Sequence, residues 1–194
     1  MIEVSVLRHS KTKGNLSGRY IGVTDEPLCH EGILLLEGKC VPAASRLYVS
    51  PLKRCVETGR ILYPSLSPIP KEGLAECDFG EFENRNYLEL NGNPAYQAWV
   101  DSGGTLPFPG GESREAFALR CQNAFLEVIE DAFRSGDRQI AIIAHGGTIM
   151  AVLSRFAVPE RSFYEWQVKN GEGYLLQVPD DFLRVQHLTV LRKL

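Results

Sequence analysis

A chain of 194 residues is long enough to close one hydrophobic core within a single domain. With 21 Lys and Arg against 24 Asp and Glu, the net charge is −3, which argues against a nucleic-acid partner and makes any basic site a local one. No apolar run reaches the ~18 residues that span a membrane, the start MIEVSVLRHS lacks the pattern of a signal peptide, and five cysteines without a CxxC pair read as reduced thiols, so a cytoplasmic location is expected.

Apolar residues 2–7 predict a buried first strand that runs into Arg8-His9. A helix is expected over 31–41, a strand over 46–49, and a second helix over 51–62, with Ser50 as its N-cap and Pro51 at its first position. A weaker strand follows near 69–71. Residues 80–111 are rich in Gly, Pro and Asn and break the alternation; they read as an excursion over a pocket, with a short helix around 96–100. Residues 113–135 give the clearest helix, with Phe117, Cys121, Phe125, Val128, Ile129, Ala132 and Phe133 at three- and four-residue spacings. A strand over 139–144 leads into His145-Gly146-Gly147, a helix over 148–156 follows, and strands over 173–178 and 184–191 close the chain. Strands alternating with helices predict an α/β fold: one three-layer αβα sandwich over residues 1–194, with a mostly parallel, roughly six-stranded sheet and a short helical lid insertion at about 80–111.

In such sheets, ligands bind beyond the carboxyl ends of the strands, so the two histidine-bearing strand ends are expected to meet at one pocket. His9 beside Arg8 and followed by Asn15 has the makings of a nucleophile facing an anion, because neighbouring positive charge keeps an imidazole neutral near pH 7. Arg54, near a helix start, and the glycines after His145 both favour a bound anion. The window from Glu76 to Glu83 offers Glu76, Asp78, Glu81 and Glu83 as proton donors, and residue types alone do not choose among them. His30 and His187 fit no motif and are expected to be structural.

In the order Arg8-His9, Ser50-Pro51-Leu52-Lys53-Arg54 with Thr58, Glu76 with Gly80 and Glu83, Pro109-Gly110-Gly111-Glu112-Ser113 with Arg120, and His145-Gly146-Gly147, the chain resembles the histidine phosphatase superfamily, the phosphoglycerate-mutase-like proteins. The segment from Gly18 to Leu28, with Gly22, Thr24 and Asp25, resembles the loop after the first motif. The resemblance implies that His9 attacks phosphorus and becomes a phosphohistidine, that Arg8, Arg54 and a protonated His145 hold the phosphoryl oxygens, and that Glu76 protonates the leaving alkoxide. It implies substrate contacts from Asn15, Ser10, Thr24, Gly22 and Gly146, no metal and no other cofactor, and a small phosphorylated metabolite as partner. Charge compensation on the transferring group is the main demand of this chemistry. At an effective dielectric near 20, a cation about 4 Å away supplies roughly 4 kcal/mol of Coulomb attraction.

Ser10 and Asn84 stand where the family commonly has glycine. Serine is costly at Ser10 if the backbone needs a positive φ, and its hydroxyl is a candidate phosphate contact; Asn84 is expected to alter lid shape more than chemistry. The short excursion over 80–111 favours a phosphatase over a mutase, which in this family carries a longer insertion. The runs 78–83, Ala98-Trp99, 110–113 and 168–174 resemble the α-ribazole phosphatase branch. Phe79, Phe82, Tyr87, Tyr96, Trp99 and Phe108 are candidates to contact an organic leaving group. Mutase-type phosphoryl transfer and a non-catalytic phosphate-binding protein on the same fold are the alternatives.

Overall fold

The computed structural model describes residues 1–194. Its elements are β1 (Ile2–Arg8), α1 (Lys13–Leu16), α2 (His30–Leu36), β2 (Arg46–Val49), α3 (Lys53–Leu62), β3 (Pro68–Pro70), α4 (Pro94–Asp101), α5 (Arg114–Ser135), β4 (Gln139–Ala144), α6 (Gly146–Phe156), β5 (Ala157–Val158), β6 (Gly173–Val178), α7 (Phe182–Val185) and β7 (Leu188–Lys193), with short 3-10 turns between some of them. The strands form one seven-stranded sheet in the order β3-β2-β4-β1-β6-β7-β5. β3, β2, β4 and β1 run parallel, whereas β6 is antiparallel to both of its neighbours.

Side chains on a strand alternate between faces, and the two central strands use both. Val4 and Val6 of β1 and Ile140 and Ile142 of β4 pack against α5 and α6, while Leu7, Ala141 and Ile143 pack on the other side with α3. That burial on both faces explains why β1 and β4 read as continuous apolar runs. α5 is fixed at one end by the Ser113 hydroxyl, which accepts from the Ala116 N–H at 3.1 Å, and at the other by Gly136 with φ 73°. No helix is long and apolar enough to cross a membrane.

Several sequence expectations are corrected. The sheet has a seventh strand, β5, too short for a periodic signal, which pairs with β7. Residues 184–191 are not one strand: α7 occupies Phe182–Val185, Gln186 turns with φ 53°, and the strand starts at Leu188. α2 stops at Leu36, just before Gly38 with φ 67°. α6 starts at Gly146, so the two glycines belong to its first turn. α3 starts at Lys53, and Leu52 rather than Ser50 is its N-cap; the Ser50 side chain is engaged elsewhere.

Candidate active site

Strand register gathers the site. Val49, Ile143 and Leu7 lie side by side across β2, β4 and β1. One and two residues further on, Ser50, Arg8, His9 and His145 therefore emerge together at the carboxyl edge. The His9 N–H donates to the Ala144 carbonyl and the Ser50 N–H to that of Ile143. The His9 and His145 rings meet edge to face, 5.0 Å between centroids.

His9 Nδ1 lies 2.6 Å from the Ser10 carbonyl oxygen. A carbonyl only accepts, so Nδ1 carries the proton and Nε2 keeps its lone pair. Burial, then Arg54, then Arg8 hold the His9 pKa well below its usual value. His145 Nε2 lies 2.7 Å from Ser50 Oγ, and Cys55 Sγ lies 3.4 Å from Nε2 and 3.9 Å from Nδ1, so Nδ1 has no oxygen or nitrogen partner. Burial, His9, Arg54 and Arg8 likewise hold His145 well below the usual range, so it is neutral in the empty site. The protonated His145 implied by the resemblance thus requires the charge of a bound phosphate. A neutral ring with Nε2 accepting from Ser50 still donates from Nδ1.

Arg54 is 0% exposed and forms no ion pair. Its Nη1 donates to the Thr24 carbonyl and its Nη2 to those of Gly22 and Ile21, while Nε has no partner. Gly22 and Thr24 thus act through backbone carbonyls that hold the arginine. Their own N–H groups donate to Glu83 Oε1 at 2.8 and 2.9 Å. A side chain at residue 22 would collide with the Cys77 carbonyl, so glycine is required there. Arg8 donates from Nη1 to the Val168 carbonyl, leaves Nε buried without a partner, and stacks beside Gly146. Two guanidiniums without an ion pair, Arg54 buried and Arg8 half-buried, form a cationic cluster near Glu76, and such a cluster is costly unless an anion joins it.

Among the four acids, the geometry selects Glu76. Its oxygens accept from the Cys77 N–H at 3.0 Å and from Gly147 at 3.2 Å, in the first turn of α6. Burial raises its pKa against the pull of those N–H groups and of Arg8 and Arg54. Asp78 binds the Gly80 N–H, Glu81 is exposed, and Glu83 is committed to the 22–24 loop. Arg120 clamps the Glu76 segment, donating to the carbonyls of Gly73, Ala75 and Glu76 while paired with both oxygens of Glu112.

A cavity of 320 Å³ opens over Arg8, Glu76, Gly146 and Gly147. Its roof and walls include Tyr20, Phe79, Trp99, Phe108 and Tyr164. Trp99, Gly104 and Phe108 of the excursion over 80–111 line this cavity, and the excursion is held by edge-to-face contacts such as Phe79–Phe108 and by the Tyr96–Trp99 stack. Three lid assignments change: Phe82 is fully buried, Tyr87 is 64% exposed, and Tyr96 packs against Tyr20 and Trp99 without lining the cavity. Asn84 adopts φ 56°, a conformation asparagine tolerates better than most residues.

Ser10 is not strained, since its φ is not positive. Its hydroxyl donates to the Gly32 carbonyl at 2.6 Å and its N–H to Thr58 Oγ1, so it ties the nucleophile loop to α2 and α3 instead of reaching the pocket. Asn15 Oδ1 accepts from Thr12 N and from Asn170 Nδ2, and Asn170 also donates to the carbonyls of His9 and Ser10. His30 and His187 are both exposed. Ser50, Glu83, Arg120 and Asn170 were not assigned supporting roles from sequence; Ser50 was visible only as a cap, and the others only through long-range contacts.

The parallel part of the sheet thus collects two imidazoles, two unpaired guanidiniums and a carboxyl at one edge, an arrangement chemically suited to an anion. Residues 4–190 match the model of the histidine phosphatase superfamily (branch 1), and the chain belongs to that family. A 2,3-bisphosphoglycerate-dependent phosphoglycerate mutase 2 of Gloeobacter violaceus is 32% identical over 161 residues, 76% of this chain and 72% of that protein. The adenosylcobalamin/alpha-ribazole phosphatase of Salmonella typhimurium is 25% identical over 195 residues, 94% of each chain. The crystal structure of an alpha-ribazole phosphatase from Shigella flexneri superposes with a TM-score of 0.81 at 21% identity, covering 97% of this chain and 94% of that one, a likeness of fold.

Proposed function

We propose that this chain hydrolyses phosphomonoesters of a small metabolite through a phosphohistidine at His9, without a metal ion, and that its leaving group is an aromatic-bearing alcohol of the α-ribazole kind. The observation that carries the reading is the His9 ring: its Nδ1 proton is fixed by the Ser10 carbonyl, and Nε2 is free among unpaired cations.

In the first step Nε2 bonds to phosphorus as the bond from phosphorus to the ester oxygen breaks, and Glu76 gives its proton to the departing alkoxide. Arg8, Arg54 and His145 compensate the charge on the three phosphoryl oxygens. In the second, water attacks the phosphohistidine, Glu76 takes the water proton, and phosphate leaves with His9 restored. Burial raises the Glu76 pKa, which favours the protonated form that the first step uses. The aromatic walls above Glu76 support a flat apolar leaving group over a sugar acid, which offers little surface to bury. Mutase-type transfer would use the same phosphohistidine but return the group to a bound acceptor.

The test is turnover of a panel containing α-ribazole phosphate, 3-phosphoglycerate and sugar phosphates, with phosphoenzyme trapping. Wild type is expected to hydrolyse α-ribazole phosphate best, to form an acid-labile phosphoenzyme, and to keep its rate in chelator. His9→Ala is expected to lose turnover and phosphoenzyme while remaining folded. Full activity in that variant refutes the nucleophile, a strict Mg²⁺ requirement refutes the metal-free scheme, and isomerisation of 3-phosphoglycerate without hydrolysis refutes the hydrolase.

A further inference from the structure

Beside the cavity over Glu76 lies a 750 Å³ cleft, and Arg8 and Gln167 line both. Four lysines reach it from four separate parts of the chain: Lys11 after β1, Lys39 after α2, Lys169 before β6, and Lys193 at the end of β7. One acid lines it, Glu172, and that acid is committed: Oε2 pairs with Lys193 Nζ at 2.7 Å and accepts from the Lys169 N–H at 3.0 Å. Lys11, Lys39 and Lys169 form no ion pair; Glu31 on α2 lies close enough to feel Lys11 but does not pair with it. In a chain of net charge −3, this convergence leaves a local surplus of positive charge walled by the amide side chains of Gln167 and Asn170.

The geometry points to a second anion-binding site, in which this lysine-walled cleft takes a compound bearing more than one phosphate group. Ammonium groups on flexible stems hold phosphate as point charges, in contrast to the rigid fork of the arginines at the catalytic edge. Lysines from four segments around a volume of 750 Å³ offer room and charge for more than one phosphate group. No aromatic side chain lines it, and its apolar lining is Leu35 and Val168, so it offers no platform for a base or an apolar ligand. The site does not depend on the hydrolase reading, because none of its lysines belongs to the catalytic cluster.

Calorimetry with inorganic tripolyphosphate on the full chain, with the catalytic site saturated with vanadate, tests it. One tripolyphosphate per chain is expected, bound at least tenfold more weakly by Lys39→Glu/Lys169→Glu and several-fold more weakly as salt rises from 50 to 200 mM. Turnover of nitrophenyl phosphate is expected to be unchanged in that variant. If the reversed charges impair folding, Lys39→Gln/Lys169→Gln serves with the same expectation of loss. Competition between tripolyphosphate and a bisphosphorylated substrate, with a raised KM for that substrate only, would mean that the cleft holds a second phosphate of the substrate; binding without competition would mean a separate compound. Either outcome keeps the site. No binding in the presence of vanadate, or equal binding by the lysine variants, overturns it, whatever the chain hydrolyses.

Discussion

Removing the hydroxyl of Ser50 is the most discriminating single perturbation. Its Oγ sits 2.7 Å from Nε2 of His145, and both residues are 0% exposed, so no water replaces it. In the empty site Ser50 donates to a neutral ring and fixes the Nδ1–H tautomer that faces the phosphate. Once His145 takes a proton, the same oxygen accepts from Nε2–H. A hydrogen bond to a charged partner contributes about 1.5–3 kcal/mol, which is roughly 10- to 150-fold in rate. The nearby Cys55 thiol is a poor substitute: it lies 3.4 Å away, and burial pushes its pKa up to about 12, so it stays neutral and bonds weakly. Ser50→Ala is therefore expected to lower kcat/KM for nitrophenyl phosphate by that factor, and Ser50→Thr to recover most of it. Steady-state kinetics on folded protein, checked by circular dichroism, reads the effect. A Ser50→Ala enzyme within twofold of wild type, or a threonine variant no better than alanine, refutes the argument.

Glu76→Gln is expected to slow esters of poor leaving alcohols about 10²-fold or more while slowing nitrophenyl phosphate far less, because only the former need a proton; a panel of leaving groups measures this, and equal slowing rules Glu76 out as the acid. Phosphate or vanadate at about 100 times its Kd is expected to stabilise the fold by about 2.7 kcal/mol, a rise in Tm of roughly 5–11 °C by thermal scan, and no rise would contradict the unpaired cationic cluster. The pH profile follows from the depressed imidazoles. His9 stays neutral below pH 6.5, so nitrophenyl phosphate turnover is expected to persist there, and an acid limb at the ordinary histidine value would show the ring to be solvated. In stability the signs oppose each other. His9 and His145, lowered in the folded state, favour it above about pH 6.5 and lose that contribution as pH falls. Glu76, raised, favours it below about pH 4.5 and loses that contribution as pH rises through its folded value, so Glu76→Gln should shift stability in denaturant melts further in favour of pH 7 over pH 4.5.

What the sequence made legible follows a physical divide. β1 and β4 could be read because burial on both faces forces continuous apolar runs, and α5 because its periodicity spans 22 residues. The meeting of His9 and His145 at one sheet edge could be read because each follows one of those strands directly. β5, two residues long, carries no period to detect, and α7 hid inside an apolar stretch that suits strand or helix alike. Ser50 was misplaced for a clear reason. Ser-Pro is a sound helix-start signal, but the Ser50 hydroxyl is engaged by His145, and the helix begins two residues later. The role of Ser10 was hidden because its partner, the Gly32 carbonyl, is 22 residues away in the sequence.

The supporting contacts share one trait: most of them hold a charged group through neutral backbone. Arg54 is held by three carbonyls, Arg8 by one, and Arg120 reaches Glu76 through carbonyls of its segment. A carboxylate in place of those carbonyls would orient the guanidiniums as well, but it would also neutralise them and compete with the phosphate. Carbonyls orient without cancelling the charge, so the field at His9 Nε2 remains available to the transferring group. This is why Glu83 acts at one remove, binding the N–H groups of Gly22 and Thr24 while their carbonyls face Arg54. The excursion that carries Glu83 also carries the aromatic roof, so the roof and the arginine are tied to one segment. The same logic explains the absence of family-like glycines at Ser10 and Asn84. Neither position faces the anion, so each tolerates a side chain that ties its loop down or turns it, and the cationic edge is left untouched.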